Sequence, residues 1–252
     1  MDLKEKIDLV AKWIIESKKL VVFTGAGIST DSGLSDFRGP DGVWTRRDKG
    51  LPPRPMSVSW EDVRPNQGHY AIVDLLKMGK LDYLISQNVD GLHAKSGIPF
   101  EKLAELHGNH WFMKCLSCNK KMTFEDAGWD KRKWGNGYRT SPIRNGQPKC
   151  PNCGGRLISS IVNFGDSLPE DELNESFKRS EQSDVFFVIG SSLVVTPAAN
   201  MPGIAKKHGA KLIILNKGET PYDNRADIRF FNTISKVLPP IMEKVKKAMN
   251  YS

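Results

Sequence analysis

Apolar and polar residues fall in blocks along this chain that predict helices and buried strands in turn. Leu3, Ile7, Val10 and Ile14 recur at helical spacing, which predicts an amphipathic helix over residues 3–17. Leu20-Val21-Val22-Phe23 is a short unbroken apolar run, the pattern of a strand covered on both faces. Residues 38–65, rich in proline, glycine and charge and without a period, are expected to form a long loop. Asn66 is a candidate cap for a helix that runs to Met78 and ends at Gly79. Tyr83–Ser86, Asp184–Ile189 and Lys211–Leu215 read as further buried strands, with a helix near 198–208 between the last two. A C-terminal helix is expected over 235–248, its first turn limited by Pro239 and Pro240. Buried strands alternating with helices predict an α/β fold, a Rossmann-type doubly wound and mostly parallel sheet. The polar, aliphatic-poor segment 115–153 interrupts this pattern and reads as a small inserted module.

Composition narrows the class. The 252 residues are 39% hydrophobic, ordinary for a globular chain able to bury a core. No run approaches eighteen apolar residues, so no membrane span or membrane partner is expected. Asp2, Glu5 and Asp8 sit among the first lysines, unlike a signal or transit peptide, and an intracellular protein is expected. The net charge of +8 favours acidic partners, nucleic acid among them, and says nothing about fold.

Four features carry candidate chemistry. Gly25 and Gly27 follow the first strand and precede an expected helix start, a turn that lets backbone approach a pyrophosphate. Thr30 stands where a third glycine would complete the dinucleotide fingerprint, and no acid marks the end of a second strand. The turn therefore fits an anion site or a plain tight turn, and it argues against an ordinary dehydrogenase. Cys115 and Cys118, with Cys150 and Cys153, are two Cys-x-x-Cys knuckles, the ligand set of a closed tetrahedral zinc site. With four protein ligands such a metal is structural. Gln87-Asn88-Val89-Asp90 places amides and a carboxylate at a strand end, as a ligand contact or as a self-satisfied polar turn. Of five histidines, His69 and His208 lie on expected helices and read as ordinary; His93 and His107 are equal candidates for chemistry.

Taken in order, these pieces resemble one family. Gly25-Ala-Gly-Ile-Ser29, Ser32-Gly-Leu-Ser-Asp-Phe-Arg-Gly39, Ser86-Gln-Asn-Val-Asp-Gly-Leu-His93, Glu105-Leu-His-Gly108, the cysteine pairs, Phe164-Gly165 and Gly190-Ser-Ser-Leu193 follow sirtuin order over about residues 7–240. Phe37–Thr45 and Asp166-Ser-Leu-Pro169 look most like the sub-branch of the nuclear, chromatin-acting sirtuins. Ser35 replaces the family's usual proline, Ser191 its commoner threonine, and Asn163-Phe-Gly-Asp166 departs from its usual substrate motif.

The resemblance implies an NAD⁺-dependent protein-lysine deacylase that passes the acyl group to ADP-ribose and releases nicotinamide, with Zn²⁺ as a structural ion. It implies His107 as general base, with imidazole titrating near working pH, and Asn88 orienting ribose and water. Gly25, Ala26, Gly27, Ile28, Thr30, Phe37, Arg38, Trp44, Gln87 and Asp90 would hold the nicotinamide, ribose and pyrophosphate part. Gly190, Ser191, Ser192, Asn216, Gly218 and Ile234 would hold the adenosine half. Val162, Asn163, Phe164 and Gly165 would pair with an extended acyl-lysine peptide. The expected division is 1–45, 80–112 and 157–252 for the NAD-binding Rossmann-type domain. The small domain, 46–79 and 113–156, would hold the cofactor loop, a helical segment and the zinc module. Two other readings use parts of the same set: a mono-ADP-ribosyltransferase, and a basic zinc-containing protein that binds chromatin or nucleic acid. The compartment expected is cytoplasmic in a prokaryote, with the nucleus an option in a eukaryote.

Overall fold

A computed structural model describes residues 1–55 and 58–251. In chain order the elements are α1 (Leu3–Glu16), β1 (Leu20–Thr24), α2 (Val43–Asp48), α3 (Gln67–Lys77), β2 (Leu81–Ser86) and α4 (Leu92–Ser96). There follow β3 (Leu103–Glu105), β4 (Phe112–Cys115), β5 (Lys121–Thr123), α5 (Lys131–Trp134), β6 (Leu157–Ser159) and α6 (Glu170–Gln182). The chain closes with β7 (Val185–Ile189), α7 (Met201–Lys207), β8 (Lys211–Leu215), β9 (Ile228–Phe230) and α8 (Ile234–Ala248).

Six strands pair in the order β3-β2-β1-β7-β8-β9, and every pair is parallel. Parallel strands need crossovers, which cover both faces, so β1 and β7 are buried along their whole length. Successive side chains go to opposite layers. Leu20, Val22, Phe187 and Ile189 join one core with α1, α3 and α8. Val21, Phe23, Phe186 and Val188 join the other, where residues of α6 and α7 close it. Burying a ring such as Phe23 or Phe186 completely contributes roughly 2–3 kcal/mol. At the chain start, Asp2 accepts from the Glu5 amide and Glu5 accepts from the Asp2 amide, a reciprocal cap that opens α1.

The chain proceeds outward from β1 in two directions, through β2 and β3 on one side and through β7, β8 and β9 on the other. The crevice where the order reverses, at the carboxyl ends of β1 and β7, is where open α/β sheets bind ligands.

The expected sheet and helices are present, with four differences. Within the expected loop 38–65, α2 forms; it is under two turns long and hangs on backbone bonds from Val43 to Asp36 and from Trp44 to Phe37, both 2.9 Å. In α8 the helix runs through Pro239 and Pro240. The carbonyls they leave without a helical donor belong to Ser235 and Lys236, which are exposed to water. β6, expected in the large domain, pairs antiparallel with β4, so the small sheet β5-β4-β6 takes in residues 157–159. Conversely α3, assigned to the small domain, sends Ile72 and Leu75 into the main core.

Gly190 has a left-handed φ of 67°, and an added Cβ would lie 2.5 Å from the Ile28 amide nitrogen. Gly79 has φ 69° with nothing near its missing Cβ. Gly190→Ala is expected to lower the urea-unfolding free energy by roughly 2–4 kcal/mol from overpacking and strain together. Gly79→Ala carries the strain alone and is expected to cost about 1 kcal/mol. Equal losses would show that the contact at Gly190 is not tight.

Candidate active site

The turn after β1 leans directly on the turn after β7. The Gly27 amide donates to the Gly190 carbonyl at 2.8 Å, and the Gly25 amide to Ile189 at 3.2 Å. A Cβ at Gly27 would meet Gly190 Cα at 2.7 Å, so only glycine permits this approach. A 3₁₀ helix, Ala26–Ser32, leads away and floors a groove of 590 Å³. Gly27, Thr30, Gly190, Asn216 and Ile234 from the sequence-derived set line it, together with Asp36, Arg54, Lys217, Asn232 and Thr233. The volume is that of a small-molecule or cofactor site. The sequence missed Asn232 and Thr233 because they follow β9, a strand of three residues with too little pattern to read. Gly218 lies beside the groove, its carbonyl taken by Asn216 Nδ2 at 2.9 Å. Ile28 is buried in the core, so only its backbone is available at the turn.

The Gln87–Asp90 segment is bonded inward from every side. Gln87 donates its amide to Thr24 at 3.0 Å, and its Oε1 accepts from Ser191 Oγ at 2.7 Å. Asn88 Nδ2 donates to Ser29 Oγ at 3.1 Å, and Ser29 donates to Asp90 Oδ2 at 2.7 Å. Leu92 donates its amide to Asp90 Oδ1 at 2.9 Å. Burial raises the Asp90 pKa, and the bonds from Leu92, Ser29 and Asn88 pull it back. Ser29 is the residue that ties Asn88 to Asp90, and nothing local in the sequence marked it for that task.

His107 separates itself from His93 by access, being half-buried where His93 is buried. Its Nδ1 lies 2.9 Å from the Gln87 carbonyl, which can only accept, so the proton sits on Nδ1 and Nε2 keeps a free lone pair. Burial lowers its pKa, partly offset by the Gln87 bond, and favours the neutral base. Two residues earlier the Glu105 carboxyl is buried, with its pKa pushed up to about 7, and it accepts from Asn109 Nδ2 at 2.7 Å. Asn109 exchanges hydrogen bonds with Ser160 Oγ at 3.1 and 2.7 Å, joining the two connectors between the large and small sheets. His93 is fully buried on α4, and His69, expected on an ordinary helix face, is buried against it. His208 is exposed at the end of α7.

Three aromatic rings stand together, the first of them next in the chain to Asp36 of the groove. Phe37 stacks on Trp44 at 5.9 Å, Trp44 meets Phe164 at 6.3 Å, and the Arg47 guanidinium covers Trp44 at 4.6 Å. Phe164 is 83% exposed. Val162 donates its amide to the His107 carbonyl at 2.9 Å, which ties the Val162–Gly165 segment to the backbone of His107. Asn163 bonds to Asp166 Oδ2 through its amide and side chain. Ser192 sits on the loop after β7, and Arg38 is exposed beside Phe37.

The four cysteines converge in the small domain. Cys115 and Cys153 sulfurs are 3.6 Å apart, Cys118 and Cys150 3.8 Å, and all four lie within 4.8 Å of one another. A zinc tetrahedron with 2.3 Å bonds has edges of about 3.8 Å, whereas a disulfide needs about 2.05 Å. Four thiolates therefore fit one zinc ion, and Cys115, Cys118, Cys150 and Cys153 would hold it. Met113, Met122, Ala127, Trp129 and Leu157 pack with Cys115 and Cys150 into a small core of the module's own. The protein is expected to contain one equivalent of zinc per chain. Stripping it with a chelator at neutral pH should unfold the β5-β4-β6 module, read by the fluorescence of Trp129 and Trp134, because structural zinc supplies on the order of 10 kcal/mol in such modules. Well-folded protein without metal would contradict the assignment.

Comparison with known proteins gives a consistent result. The model of the Sir2 family matches residues 53–197. The NAD-dependent protein deacetylase SRT1 of Oryza sativa subsp. indica is 41% identical over 95% of this chain, which spans 48% of that longer protein. NAD-dependent protein deacetylase 1 of Pyrobaculum aerophilum is 38% identical over 96% of both chains. A solved Sir2 structure in complex with an inhibitor, 2′-O-acetyl-ADP-ribose and a deacetylated p53 peptide superposes with a TM-score of 0.69 at 33% identity, covering 96% of this chain and 98% of that one.

Proposed function

The chain belongs to the Sir2 family, the sirtuins, and from that premise we propose that it is an NAD⁺-consuming protein-lysine deacylase. An acyl-lysine, NAD⁺ and water become lysine, nicotinamide and acyl-ADP-ribose. NAD⁺ is a substrate here, supplying an electrophilic ribose carbon once its glycosidic bond to nicotinamide breaks.

The observation that carries the reading is the His107–Gln87 bond. It fixes the tautomer so that Nε2 accepts a proton from a ribose hydroxyl, at a place where the chain also brings Asn88 and Asp90. Asn88 orients the ribose, its amide held in place by Ser29. Asp90 and the Ile28 backbone border the nicotinamide. Gly25, Ala26, Gly27, Thr30 and Arg38 receive the pyrophosphate side, where the tight glycine contact leaves room for phosphate oxygens. Gln87, Gly190, Ser191, Ser192, Asn216, Gly218 and Ile234 receive the ribose and adenosine. Phe37 and Trp44 close over the reacting carbon and keep water out. The substrate peptide lies extended along Val162, Asn163, Phe164 and Gly165 and adds its backbone as a strand.

His107→Ala is expected to lower kcat for NAD⁺-dependent release of a fluorogenic acyl-lysine by about 10²–10⁴, with zinc content and dinucleotide binding retained. Activity within about tenfold of the parent would contradict the role. The acid limb of kcat/KM is expected below pH 6.5, since burial depresses the His107 pKa and the base is active when unprotonated.

The charge distribution supports an acidic partner. Residues 112–160 hold ten lysines and arginines against three acids, most of the chain's net +8, and through this segment the protein associates with chromatin or nucleic acid. Duplex-DNA affinity is expected to fall steeply between 50 and 200 mM salt, roughly 10³-fold or more if six phosphates are neutralised. No measurable binding at low salt would dismiss it.

A further inference from the structure

His69 and His93 are buried polar groups that the active-site geometry leaves unexplained. They lie on α3 and α4 with ring centroids 4.9 Å apart. Among the described residues, His69 Nε2 and His93 Nδ1 are the two buried side-chain polar atoms without a hydrogen-bond partner. Such atoms are costly to leave unpaired, so a use for them is to be sought.

The bonds on the opposite nitrogens decide which atom is donor. His69 Nδ1 accepts the Asn66 amide at 3.3 Å, so its proton is on Nε2. The Thr24 hydroxyl donates to Ser86 Oγ at 3.1 Å. Toward His93 Nε2, 2.9 Å away, Thr24 is then the acceptor, so His93 carries its proton on Nε2 and presents a bare Nδ1. The two unpaired atoms are thus one donor and one acceptor on adjacent rings. Burial keeps both rings neutral: it pushes the His69 pKa down to about 4 and that of His93 well below its ordinary value, with His69 adding to the latter.

We propose that His69 Nε2–H donates to His93 Nδ1, directly or through one trapped water, and that the pair makes both histidines positioning residues for Asn88. The resulting chain of bonds runs one way: Asn66 amide to His69, His69 to His93, His93 to Thr24, Thr24 to Ser86. Ser86 Oγ also accepts the Asn88 amide at 3.1 Å. At the far end Asn66 Nδ2 donates to the Ile28 carbonyl at 2.8 Å and to Ser32 Oγ at 2.9 Å, gripping the 3₁₀ helix that floors the groove. The pair therefore couples the cofactor-side helix to the turn that carries Asn88. The sense of the chain is fixed because a backbone amide only donates.

The pair itself is tested on the zinc-loaded protein at pH 7 by long-range proton–nitrogen spectra of the imidazoles, assigned with single variants. Both rings are expected as neutral Nε2–H tautomers, with His69 Nε2 and His93 Nδ1 shifted as a bonded donor and acceptor. A Nδ1–H tautomer or an imidazolium at either position overturns the pairing. The consequence for Asn88 rests on the deacylase reading and is tested by kinetics. His69→Leu and His93→Leu are each expected to lower kcat about tenfold or more, with KM for the acyl peptide within about twofold, as displacement of a reacting group does. The double variant should lose no more than the worse single one. Thr24→Val, which keeps the volume and cuts the chain, should show the same loss if the leucine variants do not fold. Additive losses, or unchanged kcat with the expected tautomers, overturn the positioning role and leave the deacylase reading standing. If the parent protein has no NAD⁺-dependent activity, the function fails and the spectra alone decide the pair.

Discussion

The site depends on one close backbone contact, the Gly27 amide on the Gly190 carbonyl at 2.8 Å. It closes the crevice between β1 and β7, where the strand order reverses. Because neither residue has a Cβ, the turns that end the two strands meet almost without clearance. That approach brings Ser191 onto Gln87, and Gln87 in turn fixes His107 through its carbonyl. The groove, the amide-rich turn and the proposed base thus share a single geometric origin.

The small domain completes the site from the other side. Its sheet is entered through residues 106–111 and left through 160–163, and Asn109 and Ser160 join these two connectors. Lys121 of β5 pairs with Glu172 of α6, and Arg139 pairs with Asp166 at 3.4 Å, so charge also bridges the parts. The zinc site has four protein ligands and no open position, and its contribution is to fold the module that carries these contacts. His107 stands on a connector, which makes its placement sensitive to both domains at once.

What could be read from the sequence followed from locality. The buried strands declare themselves by unbroken apolar runs, and the cysteine knuckles by spacing, since neither depends on distant contacts. α2 was invisible because its six residues are held by bonds to Asp36 and Phe37 rather than by an apolar stripe. The domain assignment of α3 depends on which core Ile72 and Leu75 enter, which periodicity cannot report. His69 reads as an ordinary helix histidine because a polar side chain on a helix gives no sign of the partner ring that buries it. The choice between His93 and His107 rested on family resemblance in the sequence. In the structure it rests on access: His93 is buried, whereas His107 is only partly so.

The central claim is that the dinucleotide is broken at its glycosidic bond. It is tested most directly by product stoichiometry, measured by chromatography with mass detection on an acetylated peptide. The account predicts one nicotinamide and one O-acetyl-ADP-ribose for each lysine freed. Free acetate without nicotinamide, or reduced dinucleotide, would contradict it.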